Sequence, residues 1–444
     1  MTLLVISPDY ASHLFPLATL ATAWSDAGER VVVATGPATA GVVADFGFEH
    51  VQLSLARGSN PGVIRAEQQP AGEDDALRGF FAATRIGMIE TLEFQASARL
   101  DDLLYDPVAI ARRVHSVVEM VEPDHVIVDH LAFSARIALI AAGVAHADVV
   151  LGHPSTLPVG DEVYGYPSSW PAAFEPAPSE LARLRAVCER VRDNFTASWN
   201  TALLELDPSA HPTHDAFAVA GDLLLLNYPE QLHDENRTRM LPPHLFLGSA
   251  VRTEPLDGEV ERWLAASEAP IVYVSFGSFL SVRGDVLEVV LQGLRRVAAG
   301  GADLRVALAS GSTLIDALGD IPTGWLVREF LPQVRLLGRA ALAVTHGGNN
   351  SVTEAMTAGV PVIVLPFSTD QFAGAAAIER GGYGEAFDPN TVTAEALAAS
   401  VIRLLAAESS TSPRAQATIL AAQLSVEPGA IRAFRALNPA RSIG

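Results

Sequence analysis

The chain has 444 residues, of which 49% are hydrophobic and 18% charged, a length that exceeds one core and suits two domains. Its composition excludes a disordered or fibrous chain, and its net charge of −21, with 30 cationic side chains that are all arginine, excludes a broad basic face for nucleic acid. One cysteine, Cys188, excludes an internal disulfide.

The opening MTLLVISPDY has no basic segment and predicts a first strand, LLVIS at 3–7, rather than a signal peptide. RVVVAT at 30–35 predicts a second strand. A Pro/Gly-rich stretch at 57–77 predicts a long binding loop or lid. Further strands are predicted at 125–129 (HVIVD), 148–152 (DVVLG) and 223–227 (LLLLN), with helical sequence between them. The apolar span 131–152 is broken by Arg136, His146 and Asp148, so no membrane helix is expected and the cytoplasm is the expected location. Two Asn-x-Thr sequons, at Asn194 and Asn236, are then chance matches. A second loop at 153–178 carries Tyr164, Tyr166, Trp170 and Phe174 at the mouth of the first sheet.

Residues 229–262 are rich in proline and charge, with one short apolar run, HLFLG. They place a domain boundary near residue 240. Beyond it come predicted strands at 271–277 (IVYVSFG), 304–310 (LRVALAS), 325–329 (WLVRE), 342–346 (LAVTH) and 361–367 (PVIVLPF). Short β-branched runs alternating with Ala/Leu-rich helices predict an α/β protein with two parallel sheets.

The segment LAVTHGGNNSVTEAMTAGVPVIVLPFSTDQ, residues 342–371, is the densest in polar and glycine signals. It predicts a strand, a turn at Gly347-Gly348, a helix starting near Asn350 or Ser351, and a stop at Gly359 before Pro361. Ser351 and Glu354 have the spacing of a capping box. A glycine turn into a helix start is suited to an anion, since free backbone N–H groups and the helix dipole both favour negative charge. A diphosphate would fit. The spacing alone leaves a second reading open, in which Gly-Gly merely packs the helix on its sheet.

Residues 330–371, FLPQVRLLGRAALAVTHGGNNSVTEAMTAGVPVIVLPFSTDQ, resemble the donor-site signature of the family 1 glycosyltransferases. These are GT-B-fold enzymes that include UDP-glycosyltransferases and antibiotic and macrolide glycosyltransferases. The resemblance implies two Rossmann-like domains facing across a cleft: 1–235 for the acceptor, 236–425 for the nucleotide-sugar, and 426–444 with a helix (AIRAFRALN, 430–438) packing back on the first domain. It places Phe330 on the base, Gln333 near base and ribose, and Glu354 on the ribose hydroxyls. His346, Gly348, Asn350 and Ser351 fall at the diphosphate, with Ser278 of VSFGS as a further phosphate contact. Asp370 and Gln371 fall at the sugar hydroxyls, which favours UDP-glucose, with a TDP-sugar as the other option. Asn349 stands where plant members have tryptophan, and Gly374 where many members have asparagine.

In SPDYASHLFPLA, residues 7–18, His13 and Pro16 fit the family's base-bearing loop, and Asp129 matches its partner aspartate. An acceptor hydroxyl is a poor nucleophile at neutral pH, so a base must take its proton, assistance worth about 10²- to 10⁴-fold. A carboxylate beside the imidazole favours its charged form and fixes one tautomer. His130 is the nearest rival, but alternation along the strand end aims it the other way. Phe133, Trp170 and Phe174 are the expected acceptor contacts. His125, His146 and His153 lack partners at ligand spacing, so no metal and no cofactor beyond the nucleotide-sugar is expected. The expectation is an inverting, metal-independent transfer from a UDP- or TDP-sugar to a small, mostly apolar natural product, by a monomer or homodimer with no nucleic-acid or membrane partner. The alternatives are a GT-B sugar-nucleotide epimerase, which needs no acceptor, and a silent partner of another glycosyltransferase.

Overall fold

Thirteen strands fall into two sheets in the computed structural model, which describes residues 1–56, 58–59, 73–102, 104–406 and 409–439. Most of the loop expected at 57–77 lies outside the described residues. The first sheet contains β1 (Thr2–Ile6), β2 (Arg30–Thr35), β3 (Glu49–Gln52), β4 (His125–Asp129), β5 (Ala147–Val150), β6 (Leu223–Leu226) and β7 (His244–Phe246) in the order β3-β2-β1-β4-β5-β6-β7. The second contains β8 (Ile271–Ser275), β9 (Arg305–Ala309), β10 (Leu326–Arg328), β11 (Leu342–Thr345), β12 (Val362–Val364) and β13 (Gly384–Ala386) in the order β10-β9-β8-β11-β12-β13. Each neighbouring pair is parallel, from Thr2 opposite Arg30 in the first sheet to Ile271 opposite Arg305 in the second.

The central strands are apolar along their length instead of alternating. Leu3, Leu4, Val5 and Ile6 are all fully buried, as are Val272, Val274, Val306 and Leu308. Such runs suit parallel sheets covered by helices on both faces. The three strands that the sequence did not reveal, β3, β7 and β13, all lie at sheet edges. β7 also carries the first sheet through Phe246, past the expected boundary at residue 235.

In both sheets the strand order reverses once, between β1 and β4 and between β8 and β11. Loops leaving the carboxyl ends of strands on either side of such a point diverge and leave a crevice. The loops and helix starts after β1, β4, β8 and β11 carry His13, Leu131, Gly277 and His346. The helix Gly429–Leu437 packs on the helix Ala11–Asp26, where buried Phe434 meets the edge of Trp24 at 5.1 Å between ring centres.

Candidate active site

The two sheets' carboxyl ends border one cavity of about 570 Å³, lined by residues of both halves of the chain. On the first-sheet wall, the helix Ala11–Asp26 begins just after β1 and presents His13. Asp129 ends β4 and is 1% exposed. The two meet: His13 Nδ1 lies 2.7 Å from Asp129 Oδ2. The other carboxylate oxygen accepts the N–H of Leu131 at 2.8 Å, which fixes the carboxylate's rotation. With Nδ1–H donated to Asp129, Nε2 is left as the proton acceptor. Burial acts to lower the His13 pKa, but the charge and hydrogen bond of Asp129, aided by the charge of Asp370, outweigh it and raise the value above 6.5.

The opposite wall is built by the turn after β11. Gly347 has φ +83°, and a Cβ there would stand 2.6 Å from Val364 Cγ1, so only glycine fits. At Gly348 a Cβ would lie 2.4 Å from His346 Nε2. The helix Asn349–Thr357 starts immediately, with Gly348 as N-cap. Ser351 therefore sits inside the first turn, and the expected Ser351–Glu354 capping box is not formed. The cause is the N-cap at Gly348, which starts the helix before Ser351 can cap it.

Glu354 is instead held by two side chains. Its Oε1 accepts from Arg252 Nη1 and its Oε2 from Gln333 Nε2, both at 2.6 Å, and it is 4% exposed. Burial raises its pKa against the opposing charge of Arg252 and the bond from Gln333. Arg252 also donates to Glu254 at 2.8 Å, and its guanidinium stands 5.4 Å over the ring of Phe15. His346 packs against Gly277, and burial lowers its pKa to about 4. At neutral pH it is an uncharged imidazole that can donate one hydrogen bond. A helix start, a neutral donor and a buried carboxylate in this order suit a nucleoside diphosphate, with phosphates at the N-terminus and ribose hydroxyls at Glu354.

Phe330 stands 55% exposed at the rim. The backbone of Ser278 lies in the short helix Gly277–Leu280, and its side chain is outside the described residues. Asp370 lines the cavity, and its carboxylate accepts the His153 N–H from across the cleft and the Thr369 hydroxyl at 2.8 Å. Gln371 also lines it, but its amide is engaged in its own turn. It accepts from the N–H of Phe367 and Ser368 at 3.0 and 3.2 Å and donates to the Ser368 hydroxyl at 3.1 Å.

The three aromatics expected at the acceptor lie elsewhere. Phe133 is 1% exposed, wedged among Phe195, Phe217 and Trp199 in the core behind the wall. Phe174 packs edge-on against Phe372, and Trp170 against the same cluster. Leu92, Gln95, Leu131, Tyr164 and Tyr166 line the cavity instead. The signal for the tyrosines lay in the 153–178 loop, whereas Leu92 and Gln95 sit in the helix Met88–Asp102 and carry no local mark. Arg252 was likewise missed, in a linker dense with charge. His130 is fully enclosed and bound to Asp148 at 3.1 Å, away from the cavity.

Two parallel, doubly wound sheets sharing one cleft at their switch points define a GT-B fold. The family model of the UDP-glucoronosyl and UDP-glucosyl transferases matches residues 190–412, half of the chain, and the chain belongs to that family. Among curated relatives, the NDP-glycosyltransferase YjiC of Bacillus licheniformis is 26% identical over 157 residues, 35% of this chain and 38% of that protein. A PGL/p-HBAD biosynthesis glycosyltransferase of Mycobacterium tuberculosis is 32% identical over 162 residues, 36% of each. The matched stretches thus span well under two thirds of these relatives. Similarity of fold covers the whole chain. The glycotransferase of kitacinnamycin superposes with a TM-score of 0.69 at 20% identity, covering 99% of this chain and 98% of its own. The spinosyn rhamnosyltransferase SpnG, complexed with thymidine diphosphate, gives 0.62 at 16%, covering 99% and 100%.

Proposed function

We propose that the chain is an inverting, metal-independent glycosyltransferase that moves a sugar from a UDP- or TDP-sugar to a small, mostly apolar acceptor. The observation that carries this reading is the His13–Asp129 pair on one wall of the cavity whose other wall is a helix N-terminus. In the proposed reaction the acceptor hydroxyl attacks the anomeric carbon as its proton passes to His13 Nε2. The bond from that carbon to the diphosphate oxygen breaks, and its electron pair leaves with the diphosphate. Attack and departure from opposite walls support a single displacement, hence inversion at the anomeric carbon.

The departing charge is met by the first-turn N–H groups of the helix Asn349–Thr357 and by His346 and Ser351. Glu354, placed by Arg252 and Gln333, takes the ribose, Phe330 the base, and Asp370 the sugar. The first domain, with Tyr164, Tyr166 and Leu131, takes the acceptor. The thymidine diphosphate in SpnG and the UDP-sugar family name support both donor bases.

Replacing His13 by alanine is expected to lower transfer to 4-methylumbelliferone by about 10²- to 10⁴-fold, the usual worth of a general base. The affinity for UDP and TDP, read by calorimetry, is expected to stay within about threefold, well under the tenfold that 1.4 kcal/mol represents. Unchanged turnover would remove His13 from the chemistry. Adding EDTA to the same assay is expected to leave the rate unchanged, and a loss restored by magnesium or manganese would refute metal independence. A thermal-shift panel of UDP, TDP and GDP identifies the base.

A further inference from the structure

We propose that Asn349 is a positioning residue, which locks the start of the donor helix onto the carboxyl edge of the first sheet and so sets His13 against the diphosphate site. The inference deepens the transferase reading and rests on it.

β5 and β6 lie side by side, with Val150 opposite Leu226. The chain leaves both strands with a backbone carbonyl facing the second domain, at Leu151 and Asn227. The Asn349 amide spans them: its Nδ2 donates to Leu151 O at 2.7 Å and to Asn227 O at 3.0 Å. An amide nitrogen has two protons, and both are used. Two carbonyl acceptors also fix which end of the amide faces the sheet. The next residue repeats the motif, with Asn350 Nδ2 donating to Ser12 O, one residue before His13, at 2.9 Å. Consecutive side chains at one helix start thus grip three carbonyls of the other domain, in the first turn of the helix after β1 and at the exits of β5 and β6. Asn227 has a further tie, since its side-chain oxygen accepts the Ala250 N–H of the linker at 2.7 Å.

The same helix start offers its backbone N–H groups to the nucleotide. Its seat on the first sheet therefore sets the distance from the donor's anomeric carbon to the acceptor at His13. Transfer needs those reacting atoms about 3–3.5 Å apart, and a misplacement of about 1 Å can lower the rate a hundredfold. The Asn349 amide faces the opposite domain's carbonyls, so its removal acts on placement of the two halves.

The test uses the full chain with Asn349→Ala and Asn349→Asp, whose carboxylate keeps the shape but faces two carbonyl oxygens without a proton to give. Three quantities are read: calorimetric affinity for UDP and TDP, kcat for 4-methylumbelliferone with UDP-glucose, and hydrogen exchange at residues 11–15. For Asn349→Ala the expected result is an affinity within about threefold, kcat lower by at least about tenfold, and exchange at residues 11–15 faster by a similar factor. Asn349→Asp should be the slower of the two enzymes. The exchange readout needs no acceptor, and Asn349→Ser replaces the alanine variant should that one fail to fold. Exchange and turnover equal to the unmodified protein, or a loss confined to nucleotide affinity, would overturn the inference. An unmodified chain that binds neither UDP nor TDP would overturn the transferase reading instead.

Discussion

His13 is 26% exposed, facing the cavity, while its carboxylate partner is enclosed, so the pair is asymmetric: one group is open to the proposed substrate and the other is held by the histidine and the Leu131 N–H. As the proposed base, His13 works unprotonated, so the rate is expected to fall as pH drops through its pKa. That pKa is raised above 6.5 by Asp129 against the lowering effect of burial, which puts the acid limb of kcat/KM above 6.5. Asp129→Asn removes the charge and leaves the burial. The limb should then move to lower pH, and the maximal rate should fall by on the order of 10²- to 10⁴-fold as the favoured tautomer is lost. An acid limb that stays in place would show that another group governs it. Both residues could be found in the sequence because they match the family's base-bearing loop and its partner aspartate, with Asp129 ending β4 and His13 in the first turn of the helix after β1. Arg252 could not, since an arginine among glutamates reads as a solvated charge, and its enclosure between Glu354 and the Phe15 ring arises only when distant segments meet. Phe133 misled in the opposite way, because an aromatic just after a strand reads equally well as wall or as core.

The turn and helix at 345–357 show how far local sequence reaches at the scale of an element. Strand, Gly-Gly bend and short helix were all legible, because glycine at a forced positive φ and a proline stop act through nearest neighbours. The helix start was placed late, since Ser351 offers a textual cap while the real N-cap, Gly348, carries no side chain to advertise it. Gly348→Ala would drive a methyl to 2.4 Å from His346 Nε2 and displace the imidazole from the proposed phosphate position. Nucleotide affinity should fall by at least about tenfold, or 1.4 kcal/mol, with the melting temperature little changed. Equal affinity would mean that the ring is not a ligand. Edge strands were the other blind spot. β3 (EHVQ) and β13 (GEA) hold no apolar run, and β7 (HLF) lies in a linker dense with proline and charge.

For the whole molecule, the alternation of strands and helices was enough to expect two parallel sheets, but their mutual seating was not written in any one segment. It depends on pairs such as Asn349 with Leu151, 198 positions apart. The terminal helix Gly429–Leu437 adds a second long-range tie. Phe434 is 1% exposed against Trp24, and Phe434→Ala should destabilise the protein by about 3–5 kcal/mol in denaturant melts. A loss below about 1 kcal/mol would show that the helix is merely laid on the surface.

The chain passes between the two sheets' territories once after β7 and again just before that terminal helix. These passages touch: a Cβ on Gly248 would meet Leu424, and one on Gly429 would meet the carbonyls of Leu247 and Ser249. Two adjoining threads behave like the paired leaves of a door fitting. They tie the halves along one line at that side of the seam, so any relative motion of the two sheets is expected to turn about it.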